Sequence, residues 1–407
     1  MDVERLRRDF PVLRARPEGE PPAYLDSACM SLVPQAVLDA MTEYYVDFPG
    51  CAGRSLHRYA EEVGRRVERA REAFVGYLGA REASSVAFVR NATEAINVVA
   101  QGLPWEKGDR VIISDQEHNS NLVVWQRLAR ARGIKIDVWH LPDDGGYDAE
   151  GLERLLVPGV RLVSLFQTSN LDGRSLPVRE IAERAHDRGA KVLFDGCQAA
   201  PHEPPKLARD GVDFYALSLH KMLGPTGMGL LAGAPEALAE LPPLISGGET
   251  VEWTTLEDHA LRPPPHRFEA GLQNYAGILG AHAGLRYLLG TDPAERRAHE
   301  VALNRRLSGA LAEDRRVRPI GPADPAARPT IVSFSVEGID PHDVALFLDS
   351  GPGVLVRSGR HCVHSWYDRR GLSGTVRASL YLYTSERDVE RMAGGMRELL
   401  AHVPSTA

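Results

Sequence analysis

Between residues 85 and 218, short apolar runs ending in polar residues alternate with stretches of helical spacing. The runs are 85–89 (SVAFV), 110–114 (RVIIS), 134–139, 161–166 (RLVSLF), 191–195 (KVLFD) and 213–218 (DFYALS). Residues 61–78 and 93–101 repeat apolar positions at the period of an amphipathic helix, the second opened by Asn91, Ala92 and Thr93. Near-continuous apolar strands joined through helices are buried on both faces. The pattern therefore predicts an α/β fold with a mostly parallel sheet covered by helices. In such sheets ligands lie beyond the carboxyl ends of the strands, so His118, Asn170, Asp195, Gln198, His220 and Lys221 are expected to converge on one cleft.

The texture changes after Pro263–Pro265, the segment FEAGLQN and a long helix from about 277 to 289. Helix 293–311, the loop GPADPAARP, strand 330–336, helix 342–349, strands 353–357 and 376–382 and a last helix from Glu386 predict a smaller α+β domain. A chain of 407 residues with 43% hydrophobic side chains has the core for two such lobes. The expected division is an N-terminal segment 1–22 packing on the small domain, a large domain 23–290 and a small C-terminal domain 291–407. No internal repeat or low-complexity tract interrupts it.

Charge and termini exclude several classes of partner. Lys plus Arg number 48 against 55 Asp plus Glu, a net −7 with no basic field for nucleic acid or an anionic membrane. The opening MDVERLRRDF interleaves acids and arginines without an apolar core, so no secretory signal and a cytoplasmic location are expected. No run approaches the ~18 apolar residues of a membrane helix. Cys29, Cys51, Cys197 and Cys362 are too scattered for a zinc pair or a disulfide scaffold, and no metal site is expected.

Among the cations, 43 arginines stand against five lysines, so chemistry that needs an amine has few candidates. Asp195 closes one apolar run and Lys221 follows the next. Pyridoxal phosphate needs such a pair, an amine to hold it and a carboxylate to keep its pyridine nitrogen protonated. A buried ion pair, or two unrelated loop residues, would give the same spacing. The turn RNATEAIN sets the Ala92 and Thr93 amides at a helix N-terminus suited to a phosphate, although a plain N-cap reads alike. His118 and Asn121 in EHNSN follow a strand, where an imidazole has room to stack on a flat ring; a surface histidine is the alternative. Cys362 lies in VRSGRHCVHS, flanked by Arg357, Arg360, His361 and His364, the cationic setting of a nucleophilic thiol. Cys29, Cys51 and Cys197 read as inert packing residues.

With these residues in view, the chain resembles the fold-type I, pyridoxal-phosphate-dependent class V aminotransferase family, and within it the SufS-type (group II) cysteine desulfurases. The resemblance rests on YLDSACMSLVP, FVRNATEAIN, EHNSNLVVWQ, FQTSNLDG, VLFDGCQAAPH, DFYALSLHKMLGPTGMG, RFEAGLQN, VRSGRHC and VRASLYLY. It implies that Lys221 carries the cofactor, Asp195 pairs with the pyridine nitrogen, Gln198 contacts the phenolic oxygen and His118 stacks on the ring. The Ala92–Thr93 turn with Ser218 and His220 would hold the phosphate. Asn170 would lie on the substrate and cofactor side, and Arg377 would clamp the substrate carboxylate, with His57 and Arg357 as further substrate contacts. Cys362 matches the persulfide-forming cysteine, and SGRHC resembles the short loop of the SufS type.

Three positions depart from the family pattern. Ala92–Thr93 stands for two threonines, Gly271-Leu272-Gln273-Asn274 for Gly-Thr-Pro-Asn, and Val363, His364, Ser365 and Trp366 for a small residue and proline after the cysteine. The resemblance implies an L-cysteine desulfurase that makes alanine and passes sulfur through Cys362 to an acceptor protein, for example in iron–sulfur cluster assembly, as a homodimer. The alternatives are a selenocysteine lyase, a C–S lyase releasing pyruvate, an aminotransferase or epimerase on the same scaffold, and a non-catalytic scaffold.

Overall fold

The computed structural model describes residues 1–14 and 19–402. Each of the six apolar runs forms a strand of one seven-stranded sheet. Its order is Val86–Val89, Gly229–Gly233, Phe214–Ser218, Lys191–Asp195, Val160–Phe166, Arg110–Ser114, Lys135–Trp139. From Phe214–Ser218 outward to Lys135–Trp139 every neighbour pair is parallel. Successive side chains point to opposite faces, so one run feeds two cores. Ile112, Val163, Val192 and Phe194 pack with Val67 and Phe74 of helix Arg58–Leu78 and Leu285 of helix Tyr275–Leu289. Val111, Ile113, Leu162 and Leu193 pack with Ile96 and Val99 of helix Ala92–Gly102 and Trp125 of helix Val123–Arg132.

The strand the sequence pattern does not reveal is Gly229–Gly233, antiparallel to both neighbours. A parallel return needs a crossover of roughly a dozen residues, and the connection 219–228 is shorter than that and holds only a 3-10 turn. Its glycines hide the strand signal but serve close packing. A Cβ on Gly233 would lie 2.0 Å from the Asp213 carbonyl oxygen, and one on Gly229 would lie 2.5 Å from Asn91 Cα.

The C-terminal lobe has an antiparallel sheet in the order Val317–Ile320, Ile331–Val336, Thr375–Ser379, Arg357–Gly359. Helices Pro293–Leu311, Pro341–Ser350 and Glu386–His402 back it. Two strand expectations are corrected here. The 353–357 strand is two pieces, Val354–Leu355, parallel to Ala23–Tyr24, and Arg357–Gly359, paired with Thr375–Ser379. The 376–382 strand stops at Ser379, because Thr384 Oγ1 accepts from Tyr381 N at 2.9 Å and turns the chain while Leu380–Tyr383 stay buried. An apolar run therefore outlasts its strand. Residues 23–26 bond to this lobe rather than to the large sheet: Leu25 O accepts from Ser379 N at 2.7 Å. The preceding helix Val3–Arg7 is tied to it as well, with Arg7 donating to Asp388 Oδ2 at 2.7 Å and Tyr383 O at 2.8 Å. Among the described residues no helix is long and apolar enough to cross a membrane.

Candidate active site

The carboxyl ends of the central strands open into a cavity of about 280 Å³ that residues of the C-terminal lobe also line. Its floor comes from two adjacent parallel strands. Asp195 ends Lys191–Asp195, is 8% exposed, and accepts from Cys197 N at 3.0 Å. The residue between them must be glycine, because a Cβ on Gly196 would lie 1.9 Å from Tyr215 Cζ. Phe214–Ser218 runs directly into the 3-10 turn Leu219–Lys221, which brings His220 and Lys221 to the cavity. Ser31 fixes this turn by donating from N and Oγ to His220 O (2.9 and 3.1 Å) and accepting from Leu223 N at 2.7 Å.

One end of the cavity is a corner of hydroxyls at a helix N-terminus, where an anion is favoured. Asn91 caps helix Ala92–Gly102 by accepting from Glu94 N at 3.0 Å. Ala92 N donates to Ser218 Oγ at 2.9 Å, and the Thr93 and Ser120 hydroxyls share a hydrogen bond of 2.7 Å. Ser120 N donates to His118 Nδ1 at 3.1 Å, so the neutral His118 ring carries its proton on Nε2. Burial, then the Lys221 charge, pushes both His118 and His220 down to about 4, leaving two neutral imidazoles beside the lysine at neutral pH. Beneath His118, the Glu117 carboxylate accepts from Ser114 Oγ (2.6 Å), Asn121 Nδ2 (2.8 Å) and Phe166 N (3.2 Å), and burial pushes it up to about 8.

The upper wall comes from the C-terminal lobe. Arg377, 2% exposed, donates through NH1 to Asn170 O at 2.8 Å and through NH2 to Asp26 Oδ1 at 3.3 Å; its Nε has no partner among the described residues. Asn170 in turn donates from Nδ2 to His361 O at 2.7 Å. His361 and Cys362 are both left-handed, with φ of 48° and 61°, a conformation that costs about 1–2 kcal/mol per non-glycine residue. Side chains and backbone from elsewhere hold it: Cys362 O accepts from Asn119 N at 2.7 Å, and His361 Nε2 pairs with Thr375 Oγ1 at 2.8 Å. Buried His361 Nδ1 has no partner among the described residues, and burial holds this imidazole neutral.

The cavity thus gathers Lys221, Asp195, His118, Ala92, Thr93, Asn170, Gln198, Ser218, His220, Arg357, Arg377 and Cys362. His57 is not among them. It is exposed and caps helix Arg58–Leu78, its Nδ1 accepting from Ala60 N at 3.4 Å. Leu272, 58% exposed, is also outside the cavity, and Asn274 caps the next helix. Several functional neighbours escape sequence reading. Asp26 pairs with Arg377 and Ser120 links the His118 ring to Thr93, yet nothing in a linear pattern says which hydroxyl or acid faces inward. Cys29, read as an inert loop residue, lines the cavity, and its Sγ accepts from Arg357 NH1 at 2.7 Å. Cys197 lines it too, with a thiol that burial pushes up to about 12.

Chemically the cavity offers an amine over a carboxylate floor, an anion corner, a buried guanidinium and a half-buried thiol. The family model described as Aminotransferase class-V matches residues 23–392. A probable cysteine desulfurase of Streptomyces coelicolor is 37% identical, covering 98% of this chain and 97% of that protein. A cysteine desulfurase of Dickeya dadantii is also 37% identical, covering 98% and 96%. Among solved structures, the cysteine desulfurase CsdA (S-sulfonic acid) of Escherichia coli superposes with a TM-score of 0.91 at 30% identity, covering 99% of this chain and 100% of that one. The apo cysteine desulfurase of Thermococcus onnurineus superposes with 0.93 at 34% identity, covering 98% of each.

Proposed function

From the premise that the chain belongs to the class V aminotransferase family, we propose that it is an L-cysteine desulfurase, converting cysteine to alanine and carrying the sulfur on Cys362. The observation that carries this reading is the presence of Lys221, Asp195, Arg377 and Cys362 on the wall of one small cavity.

The residues fit pyridoxal phosphate. An amine, a buried carboxylate and a hydroxyl-lined helix N-terminus line the same cavity, and the orphaned polar atoms Arg377 Nε and His361 Nδ1 leave hydrogen bonds for what binds there. Lys221 would hold its aldehyde carbon, Asp195 its pyridine nitrogen, Gln198 its phenolic oxygen, and Thr93, Ser218, His220 and the Ala92 turn its phosphate, with His118 against the ring. When bound, the cofactor withdraws electrons from the substrate Cα and acidifies its proton.

The chain's own groups do the rest. Arg377 binds the substrate carboxylate through a planar fork, with Asn170 and Arg357 beside it. Asp26 and Asn170 hold that guanidinium in place before substrate arrives. Lys221, once free, removes the Cα proton, and neutral His118 presents its Nε2–H for proton transfer. The Cys362 thiolate attacks the substrate sulfur; the sulfur–carbon bond breaks, and the carbon side keeps the electron pair and is protonated to alanine. The enzyme is left with one extra sulfur on Cys362, which passes to an acceptor protein for iron–sulfur cluster assembly in the cytoplasm. Exposed apolar side chains on helix Gln35–Asp47 (Leu38, Tyr45, Val46) and at Trp253 and Leu256 support a homodimer.

The test is product analysis with L-cysteine for the wild type and Cys362→Ala. Alanine that collapses in the variant supports the reading. Undiminished alanine from Cys362→Ala removes the nucleophile, and pyruvate with ammonia in place of alanine makes the protein a C–S lyase.

A further inference from the structure

Among the residues lining the cavity, His361 and Arg377 each carry a buried side-chain nitrogen with no partner among the described residues. Arg377 serves the substrate carboxylate in the desulfurase reading, whereas the imidazole next to Cys362 has no role in it. His361 is only 3% exposed. A polar atom left unpaired at such depth is unfavourable until something that binds there takes up its hydrogen bond.

The opposite side of the ring decides what Nδ1 offers. His361 Nε2 pairs with Thr375 Oγ1 at 2.8 Å, and Thr375 Oγ1 pairs with Tyr367 OH at 2.6 Å. Tyr367 and Thr375 are fully buried, and the phenol has no other hydrogen-bond partner among the described residues. Each hydroxyl has one proton to give. Tyr367 donates to Thr375 and Thr375 donates to His361 Nε2, the arrangement that leaves neither hydroxyl proton unpaired. The neutral ring therefore carries its proton on Nδ1, and burial, with the Arg377 and Arg357 charges adding to it, keeps the ring neutral.

The strand Thr375–Ser379 sets this donor beside the guanidinium. Thr375, which holds the ring, and Arg377 are alternate residues of that strand and point to the same face. Residues two apart on a strand are about 7 Å apart at Cα, a gap that one carboxylate bridges when each oxygen accepts a bond of ~2.8 Å. Asn170 fastens the pair, accepting from Arg377 NH1 at 2.8 Å and donating to His361 O at 2.7 Å. Arg357 lies opposite Arg377 in the neighbouring strand, and Asp26 balances one of these two charges, so the corner favours a further anion.

We propose that the Nδ1–H of His361 is a second donor to the substrate carboxylate, gripping it together with the Nε–H of Arg377. This rests on the desulfurase reading for the substrate it names. His361 and Cys362 are consecutive, so the bond that recognises the carboxylate also seats the turn of the nucleophile on the substrate.

The test is titration of the cofactor-loaded enzyme with L-alanine and with ethylamine, which is alanine without its carboxylate, for the wild type, His361→Asn and His361→Gln. Binding is read from the change in the cofactor's visible absorption. Asparagine keeps an N–H donor near the place of Nδ1 and gives up the Thr375 bond; glutamine keeps a polar atom near the place of Nε2 and gives up Nδ1. His361→Gln is expected to weaken alanine by about 10-fold or more, the loss of a hydrogen bond to a charged group, with ethylamine unchanged. His361→Asn is expected to recover most of the alanine affinity. Unchanged alanine affinity in His361→Gln, an equal loss for ethylamine, or a loss in His361→Asn as large as in His361→Gln overturns the proposal. Slowed cysteine turnover in His361→Gln with alanine affinity intact assigns Nδ1 to the sulfur and overturns it as well. A wild type that forms no alanine from L-cysteine, while the titrations behave as expected, overturns the desulfurase reading and leaves the carboxylate site standing.

Discussion

Asp195 and Lys221 leave the ends of adjacent parallel strands at the floor of the cavity, whereas Cys362 sits at its rim in a turn that is left-handed at two successive non-glycine residues. The floor is set by ladder hydrogen bonds and by glycine contacts that admit no extra atom. The rim is held against its own backbone preference by partners borrowed from distant elements: Asn119, Asn170 and Thr375. In the proposed reaction this division of labour suits the chemistry. A group that must face one ring atom belongs on a rigid strand end, and a nucleophile that must reach substrate and then offer its sulfur onward belongs on a strained turn at the cavity wall.

The comparison can be broken from either side. Lys221→Ala removes the floor's amine, and alanine formation is expected to fall by ~10⁴-fold, with the visible absorption of bound cofactor lost. Cys362→Ala removes only the rim's thiol; alanine formation falls by ~10²–10³-fold while the cofactor absorption stays, and a loss of both would show that rim and floor are not separable.

Acid attacks the floor next. In the folded chain His118 and His220 bind protons only near pH 4, against an ordinary value of 6.5. Above 6.5 both states are neutral and the histidines' contribution to stability is fully present. Below it the unfolded chain takes up protons the folded one refuses, so that contribution falls as pH drops from 6.5 through about 4, offset in part between 6.5 and 4.5 by Glu117, which the folded chain holds protonated up to about 8. The unfolding free energy of the cofactor-free protein, from urea titrations across that range, should decline by about 1–3 kcal/mol, and His118→Gln should shallow the decline.

Smaller effects test the backbone. Gly196→Ala places a methyl against the Tyr215 ring and should cost ~1–3 kcal/mol in denaturant unfolding. Replacing Cys362 by Gly rather than Ala relieves a left-handed residue and should leave the Gly variant ~0.5–1 kcal/mol more stable than the Ala variant. Equal stabilities would mean that the rim is unstrained.

Asp195 and Lys221 were legible because each lies within a few residues of an apolar run, and a parallel sheet brings such ends together whatever the loops do. Helix Pro293–Leu311 was legible for the same local reason, with Asp292 capping and proline in its first turn. Gly229–Gly233 was not, since its glycines suppress propensity and only its short connection dictates its direction. His57 matched the family pattern as a substrate contact, but in this chain it caps a helix in the open.

The sequence by itself determined the alternation of strands and helices and the strand-end carboxylate and amine, since these depend on residues close along the chain. Only the tertiary structure decided that Asp26 meets Arg377, that Cys29 meets Arg357, and that Asn170 and Asn119 hold the left-handed turn. Such contacts join segments far apart along the chain. They follow from how the sheets pack and where the connections let the chain return, and no local period or propensity carries that information.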